Sequence, residues 1–325
     1  MNNKNTAQVV ALGELLIDFT MVGADNDGYP TLAAHPGGAP ANFLATLSAS
    51  GVKAALLGKV GNDKFGNLLT ETLNKHNIDT TGLIRDDSVF TTLAFVTLDS
   101  KGDRDFSFAR KPGADTCISF EEIDTSLIDN AQVFHFGSLS LTDEPARTAT
   151  YKAVEYAKKH NKLISYDPNL RKPLWNSLDE AKKQILWGLS QADVVKISDE
   201  EVEFLFGIEP SYGAEYIMSH YNTKLVFVTC GAKGCYYKNA VAEGFMPAVS
   251  GIDVADTTGA GDVFAGSVIS RLLACEKSPE LLDKTELDDI ASFACANAGL
   301  STTKSGGISG IPAIEDVLEF LAGGK

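Results

Sequence analysis

The chain has 325 residues, of which 44% are hydrophobic, so it can bury one large core. Its formal net charge of −15 at pH 7 argues against nucleic acid as a partner, because a phosphate backbone would be repelled. No apolar run reaches the roughly 20 residues that a membrane helix needs, which argues against a membrane protein. A polar N-terminus without an apolar signal-peptide core, and five cysteines without a C-x-x-C pair, predict a cytoplasmic protein with reduced thiols.

Strands and helices alternate along most of the chain. The predicted strands are 9–13, 54–60, 132–136, 163–166, 193–197 and 225–229, and the predicted helices are 41–50, 65–76, 145–160, 178–189, 200–206 and 288–301. This alternation predicts parallel βαβ units with helices on both faces of a sheet. Active sites in such sheets form at the carboxyl ends of the strands. Asp167, Ser198 and Gly231 each follow a predicted strand, so we expect them to lie along one rim.

Two stretches, about 18–36 and 91–115, interrupt the alternation. They contain short alternating strands, including a hairpin of 93–98 and 105–109 around a turn at 100–103. They predict a small second sheet within a single domain, 1–325. A small sheet above a strand rim would act as a lid that excludes water from a site at that rim.

The segment 256–262 reads Asp-Thr-Thr-Gly-Ala-Gly-Asp and leads directly into the apolar, helix-forming run 263–273. The first N–H groups of a helix have no intrahelical partner, so its start can bind an anion. Gly259, Ala260 and Gly261 carry little or no side chain, so a phosphate can approach the backbone. Asp262 would serve no purpose in a simple phosphate site, but it could take a proton from an attacking hydroxyl group. The segment predicts phosphoryl transfer to an alcohol, although a tight turn with an ordinary first-turn Asp fits it equally well by itself.

A second motif, 37–42, reads Gly-Gly-Ala-Pro-Ala-Asn and is followed by the glycine-rich segment 58–66. Gly37 and Gly38 would let the backbone approach a ligand, and the Asn42 amide can both donate to and accept from hydroxyl groups. These are the groups that a polyol requires. A Gly-Gly turn with an ordinary helix-start Asn is the alternative.

The segments 37–42 with 58–66, and 256–266, resemble the two signatures of the ribokinase-like (PfkB) sugar kinase family, in its order and over nearly the whole chain. The resemblance implies a three-layer α/β/α sandwich with a mainly parallel central sheet, a small β-sheet lid, and ATP-dependent phosphorylation of a sugar hydroxymethyl group. Asp262 matches the catalytic base, and Gly259, Ala260 and Gly261 match the anion hole. The second signature departs from the family in ending with Gly266-Ser267 instead of Gly-Gly.

The resemblance implies roles for further residues, which fall into sugar, nucleotide and metal groups. Asp18 would accept hydrogen bonds from sugar hydroxyls, unless it is an ordinary strand-end Asp. The nucleotide would meet Ser198, Thr229, Gly231, Gly234 and Asn297, the last of which could instead be a capped or solvated helix residue. Glu201 belongs to the family's N-x-x-E motif, here with Ser198 in place of Asn, and would hold Mg²⁺ through water. Asp256, with the loop 302–310, would mark a K⁺ site, and a homodimer is compatible with the family.

The segment 166–175 resembles one that fructose kinases and 2-keto-3-deoxygluconate kinases of this family carry. It would place Arg171 near the phosphoryl path or the acceptor, and 106–115 would place Arg110 near the sugar. We expect transfer from ATP to the 6-hydroxyl of D-fructose. The alternatives are 2-keto-3-deoxygluconate, whose carboxylate would favour a second cation from Arg104 or Arg110, another sugar, and a catalytically silent sugar or nucleotide sensor.

Overall fold

The computed structural model describes residues 6–98 and 104–323, and its main feature is a large central sheet. The ten strands of this sheet run in the order β14-β13-β12-β11-β10-β9-β1-β4-β5, with β6 also paired to β4. All of its pairings are parallel except those of β12 with β13 and of β13 with β14. The strands are β1 Val9–Leu12, β4 Ala54–Gly61, β5 Ile78–Asp79, β6 Leu83–Asp86, β9 Val133–Gly137, β10 Leu163–Asp167, β11 Val194–Ser198, β12 Leu225–Thr229, β13 Gly234–Asn239 and β14 Glu243–Pro247.

Helices cover both faces of the central sheet. They are α1 Ala39–Ala49, α2 Lys64–Lys75, α3 Thr125–Asn130, α4 Ala146–Lys159, α5 Leu178–Gln191, α6 Asp199–Phe206, α7 Pro210–Tyr221, α8 Ala260–Cys275, α9 Lys284–Ser301, α10 Gly307–Gly310 and α11 Ile314–Gly323. One hydrophobic cluster joins the sheet to α1, α2, α8 and α9, and a second joins it to α3 through α7. Along β1, Val9 and Ala11 belong to the first cluster, while Val10 and Leu12 belong to the second. The sheet is therefore buried on both faces, and the predicted three-layer sandwich is confirmed.

A separate sheet of four strands lies outside the sandwich. Its order is β3-β2-β7-β8, with β2 Leu16–Ala24, β3 Pro30–Gly37, β7 Leu93–Leu98 and β8 Arg104–Ala109. Phe19 on β2 stacks on Phe95 of β7 with ring centroids 5.3 Å apart, and it meets the edge of Phe65 on α2 at 5.5 Å. The Phe19–Phe65 contact attaches the small sheet to the sandwich, while the Phe19–Phe95 stack lies within the small sheet. The predicted turn at 100–103 lies outside the described residues.

Helices α1 and α8 pack at unusually close range. A β-carbon at Gly266 would lie 2.8 Å from the Phe43 carbonyl oxygen and 2.8 Å from Thr46 Cβ, so only glycine fits there. The next residue, Ser267, turns its hydroxyl to the Val263 carbonyl oxygen within α8 at 2.7 Å. The departure from the Gly-Gly ending is therefore accommodated inside the helix, away from the α1 contact. Among the described residues, no helix has the length and apolar character needed to cross a bilayer.

The α1–α8 contact can be tested by Gly266→Ala. We expect this substitution to destabilise the protein by about 1–3 kcal/mol, because the added methyl group must push the two helices apart. Thermal unfolding followed by circular dichroism should show a lower Tm. Gly323→Ala is the matched control, because a β-carbon at Gly323 meets no atom within 4 Å. An unchanged Tm for Gly266→Ala would contradict the close packing described here.

Candidate active site

The start of α8 has the geometry of an anion site. Gly259 adopts the left-handed conformation, with φ of +80°, and forms the N-cap of the helix. A β-carbon at Gly259 would lie 3.1 Å from Asn42 Nδ2 and 3.1 Å from Gly307 Cα, so glycine is favoured by both conformation and space. Gly261 is similarly confined, because a β-carbon there would lie 2.8 Å from Lys196 Nζ. The first backbone N–H groups of α8 can therefore meet a phosphate group without side chains in the way.

Asp262 lies in the first turn of α8 and is held from two directions. Asn42 Nδ2 on α1 donates to Asp262 Oδ2 at 2.8 Å, and Asn169 Nδ2, just after β10, donates to Oδ1 at 3.2 Å. The residue is only 8% exposed. Burial raises the pKa of Asp262 above its ordinary value, although the Asn42 hydrogen bond and the charges of Lys196 and Arg171 act in the opposite direction. The result is an oriented carboxylate with increased proton affinity, as a general base requires.

Asn42 has a second feature that points to a ligand. Its Oδ1 atom is buried, and among the described residues it has no hydrogen-bond partner. An orphaned buried acceptor is costly unless something donates to it. A hydroxyl group beside Asp262 would supply that donor. The sequence prediction of Asn42 as a polyol ligand is consistent with this atom, although no bound sugar tests it.

Asp18, on β2 of the small sheet, faces the same region. Its Oδ2 atom occupies the space that a β-carbon of Gly37 would need, since the two would be 2.1 Å apart. Burial raises the pKa of Asp18 to about 6; Arg171 lowers it, and Asp262 and Asp256 raise it further. The charges of Arg171, Asp262 and Asp256 therefore act on Asp18, and its predicted contact with sugar hydroxyls stays a prediction. A β-carbon at Gly38 would lie 2.5 Å from the Glu14 carbonyl oxygen, so the Gly-Gly pair serves close packing as well.

Glu14 belongs to this corner of the site but was not among the predicted residues. Its Oε1 atom accepts a hydrogen bond from the backbone N–H of Ala39 at 2.9 Å, which caps the start of α1. Glu14 is 3% exposed, and burial raises its pKa to about 7. The only sequence signal was its position directly after the glycine that follows β1. Glu14 thereby fixes the helix turn that carries Asn42.

The predicted motif residues Ser198 and Glu201 form a capping box at the start of α6. The Ser198 N–H donates to Glu201 Oε2 at 2.8 Å, and the Glu201 N–H donates to Ser198 Oγ at 3.2 Å. Glu201 Oε1 also accepts the N–H of Leu170 at 2.7 Å. Together with Asn169 and Arg171, these residues line a cavity of about 230 Å³. Ser198 therefore retains a capping role where the family has Asn.

The remaining nucleotide candidates follow β12 or lie on α9. Thr229 ends β12, and Gly231 and Gly234 have φ values of +51° and +123°. A β-carbon at Gly234 would lie 2.0 Å from the Met246 carbonyl oxygen, so its glycine is required by the sheet edge. Asn297 is 3% exposed, and its Nδ2 donates to Ser267 Oγ on α8 at 2.8 Å. Its Oδ1 atom is buried and, among the described residues, has no partner. Contact of these residues with a nucleotide stays a prediction.

The two predicted cation residues differ in their surroundings. Asp256 accepts the N–H groups of Thr258 at 2.8 Å and Gly306 at 3.0 Å, so it ties the α8 approach to the loop 302–310. Glu201 lines the cavity, and each of its oxygens keeps a further acceptor site. The described residues contain no cluster of three or more His, Cys, Asp or Glu suited to a metal. The predicted role of Glu201, holding Mg²⁺ through water, needs a single carboxylate and stays a prediction.

Arg110 and Arg171, the two predicted substrate cations, occupy different environments. Arg110 is 4% exposed and is paired with Asp115, with its Nη2 atom 2.6 Å from Oδ2. Its guanidinium group also donates to Thr142 Oγ1 at 2.8 Å and to the Leu139 carbonyl oxygen at 2.9 Å. Arg171 lines the cavity. The contacts that Arg110 makes are structural, and its contact with a sugar stays a prediction.

Comparison with known proteins finds similar sequences and similar solved structures. The sequence profile described as "pfkB family carbohydrate kinase" matches residues 6–314. Fructokinase-2 of Solanum lycopersicum is 42% identical over 322 residues, which cover 97% of this chain and 96% of that protein. The structure of fructokinase with bound ATP from Xylella fastidiosa superposes with a TM-score of 0.87 at 28% identity, covering 97% and 98% of the two chains. The structure of fructokinase from Vibrio cholerae O395 in its fructose-, ADP- and calcium-bound form superposes with a TM-score of 0.86 at 29% identity. The superposition covers 97% of this chain and 99% of that chain.

The raised pKa of Asp18 predicts a stability effect with a definite sign. Because its pKa is about 6 in the folded protein and 3.8 ordinarily, the folded state holds this proton more tightly than the unfolded chain does. Stability relative to a neutral side chain is therefore lost as the pH rises from about 4 to 6, and the loss then stays constant. Asp18→Asn should stabilise the protein by about 2–3 kcal/mol at pH 8 and by much less at pH 4.5.

The measurement is the difference in unfolding free energy between variant and wild type across this pH range. Asp27→Asn, at an exposed carboxylate of the same small sheet's hairpin, is the control and should show no such trend. A constant difference for Asp18→Asn from pH 4.5 to 8 would contradict the burial of an ionised Asp18.

Proposed function

The chain belongs to the pfkB family of carbohydrate kinases, and from that premise we propose that it transfers the γ-phosphoryl group of ATP to the 6-hydroxyl of D-fructose. The observation that carries the proposal is Asp262, a buried carboxylate held by two amides at the start of a helix that is open to phosphate. A protein that only sensed sugar or nucleotide would have no use for that carboxylate. The silent-sensor alternative is therefore not favoured.

The chemistry follows from the positions of these groups. The oxygen of the sugar 6-hydroxyl attacks the γ-phosphorus of ATP, and Asp262 accepts the proton of that hydroxyl. The bond from the γ-phosphorus to the bridging oxygen breaks, and ADP leaves. The N–H groups at the start of α8 stabilise the charge on the transferred phosphoryl group. Mg²⁺, when bound, neutralises the charge of the nucleotide phosphates, and Glu201 would hold it through water. K⁺ at Asp256 is a further part of the proposal.

The sugar is assigned to the region between Asp18 and Asn42. Both side chains can accept hydrogen bonds from hydroxyl groups, and neither carries a positive charge. The alternative substrate, 2-keto-3-deoxygluconate, has a carboxylate that would favour a second cation besides Arg171. Arg110 forms an ion pair with Asp115, and the side chain of Arg104 is not among those that the structure describes. This arrangement, and the fructokinases among the relatives, support fructose.

The remaining elements of the proposal concern the surroundings of the site. The small sheet, within the predicted lid of about 18–36 and 91–115, contributes Asp18, and we propose that it closes over the bound sugar to exclude water. The cytoplasmic location and the homodimer stay predictions.

The role of Asp262 is tested by Asp262→Asn. We expect kcat to fall by roughly 10²–10⁴-fold, because the amide cannot accept the hydroxyl proton, while nucleotide binding is largely retained. Turnover is followed by coupled ADP release, and binding by calorimetry. Asp253→Asn, at an exposed carboxylate nine residues earlier, should leave both unchanged. Near-normal turnover of Asp262→Asn would remove this residue from the role of base.

The choice of sugar is tested by one assay of ADP release with fructose, ribose, 2-keto-3-deoxygluconate, adenosine and fructose 6-phosphate. We expect the highest kcat/KM with fructose, because Asp18 and Asn42 can accept hydrogen bonds from its hydroxyl groups and Arg110 is already paired with Asp115. A higher kcat/KM with 2-keto-3-deoxygluconate would refute the fructokinase assignment and leave the kinase assignment intact.

A further inference from the structure

Lys196 is a buried cation that the sequence analysis did not assign to the site. It lies on β11, and its Nζ atom is 3.0 Å from Asp167 Oδ2 and 3.3 Å from Oδ1 on the neighbouring strand β10. Only 11% of its side chain is exposed. A buried ion pair is weak evidence for stabilisation, because desolvation of both charges can exceed their attraction. A functional role accounts for this pair better than stability does.

The ammonium group lies directly against the anion site. A β-carbon at Gly261 would be 2.8 Å from Nζ and 3.5 Å from Cε of Lys196, so the absence of a side chain at Gly261 leaves room for this cation. Lys196 also lines the cavity of about 230 Å³ that Asn169 and Glu201 line. Its ammonium group therefore lies beside the first turn of α8 and borders the neighbouring cavity.

The surrounding charges keep Lys196 protonated. Burial alone would lower its pKa, but the carboxylates of Asp167, Glu201 and Asp262 outweigh burial and raise it above the ordinary value. Burial and the charge of Lys196 lower the pKa of His135 to about 3, so this neighbouring ring stays neutral. Lys196 is thus a fixed positive charge at a place where three carboxylates would otherwise repel a nucleotide.

We propose that Lys196 is a catalytic residue that contacts the transferred phosphoryl group, and that Asp167 is a positioning residue that holds its ammonium group beside Gly261. This inference rests on the proposed phosphoryl transfer. Lys196 keeps all its protons and donates hydrogen bonds to the non-bridging oxygens, while Asp262 takes the hydroxyl proton and ADP takes the bonding electron pair. The ammonium complements the α8 N–H groups, because it supplies a full charge where they supply partial charges.

The rival explanation is that Lys196 merely neutralises the buried Asp167. Three variants separate the two: Lys196→Met, Asp167→Asn and the double variant. If Lys196 contacts the phosphoryl group, Lys196→Met should lower kcat by roughly 10²–10³-fold, as loss of one oxyanion donor does, with little change in the KM for the sugar. Asp167→Asn should cause a smaller loss, and the double variant should be as slow as Lys196→Met. Recovery of kcat in the double variant would overturn the proposal.

Folding is controlled within the same set, because the double variant removes the Lys196–Asp167 ion pair as a whole and can fold even if Lys196→Met does not. A second readout is calorimetric binding of ADP with aluminium fluoride and the sugar, compared with ADP alone. Lys196→Met should weaken the first complex much more than the second, and equal effects would refute a contact with the transferred group. All ratios are taken to the wild type with whichever sugar it phosphorylates best. A wild type inactive on fructose would therefore refute the substrate assignment without deciding the role of Lys196.

Discussion

The contact between α1 and α8 is the constraint on which the site depends. The missing side chain of Gly266 lets the helices approach until Asn42, in the first turn of α1, reaches Asp262, in the first turn of α8, at 2.8 Å. One helix carries the candidate sugar amide, and the other carries the candidate base and the candidate anion site. If α1 and α8 lay farther apart by even the width of a methyl group, the packing between them and the Asn42–Asp262 hydrogen bond would both be weakened. The two depend on the same distance between the helices.

Electrostatics at the site is a balance between buried carboxylates and few cations. Asp18 and Asp262 have raised pKa values because burial disfavours their ionised forms, and Arg171 acts against that effect on both. In a chain of net charge −15, binding of an anionic nucleotide depends on such local positive charge and on helix N-termini. Ionised carboxylates at these positions therefore make the folded protein less stable than neutral side chains would, which is common for residues selected for chemistry.

The sequence predicted what local patterns encode. The parallel strands were predictable because strands buried on both faces, such as β1, are continuous apolar runs, and the segment 256–262 carries its chemistry within seven residues. The two antiparallel strands at one end of the sheet, β13 and β14, were not predicted, because Gly, Lys and Glu interrupt their apolar pattern. Glu14 and Lys196 were missed as site residues because their roles depend on partners from other elements, Ala39 and Asp167. A lysine within a strand carries no sign of the carboxylate that the fold places beside it.

The hydrogen bond from Asn42 to Asp262 joins residues that are 220 positions apart along the chain. During synthesis, the segment with Gly37, Gly38 and Asn42 emerges long before α8 does. A nascent or truncated chain that ends before residue 262 contains Asn42 but lacks Asp262, the candidate base. A contact of this sequence separation is non-local, and non-local contacts slow folding because their loops must close first. The candidate site is therefore complete only when α8 has packed against α1 in the α/β/α sandwich.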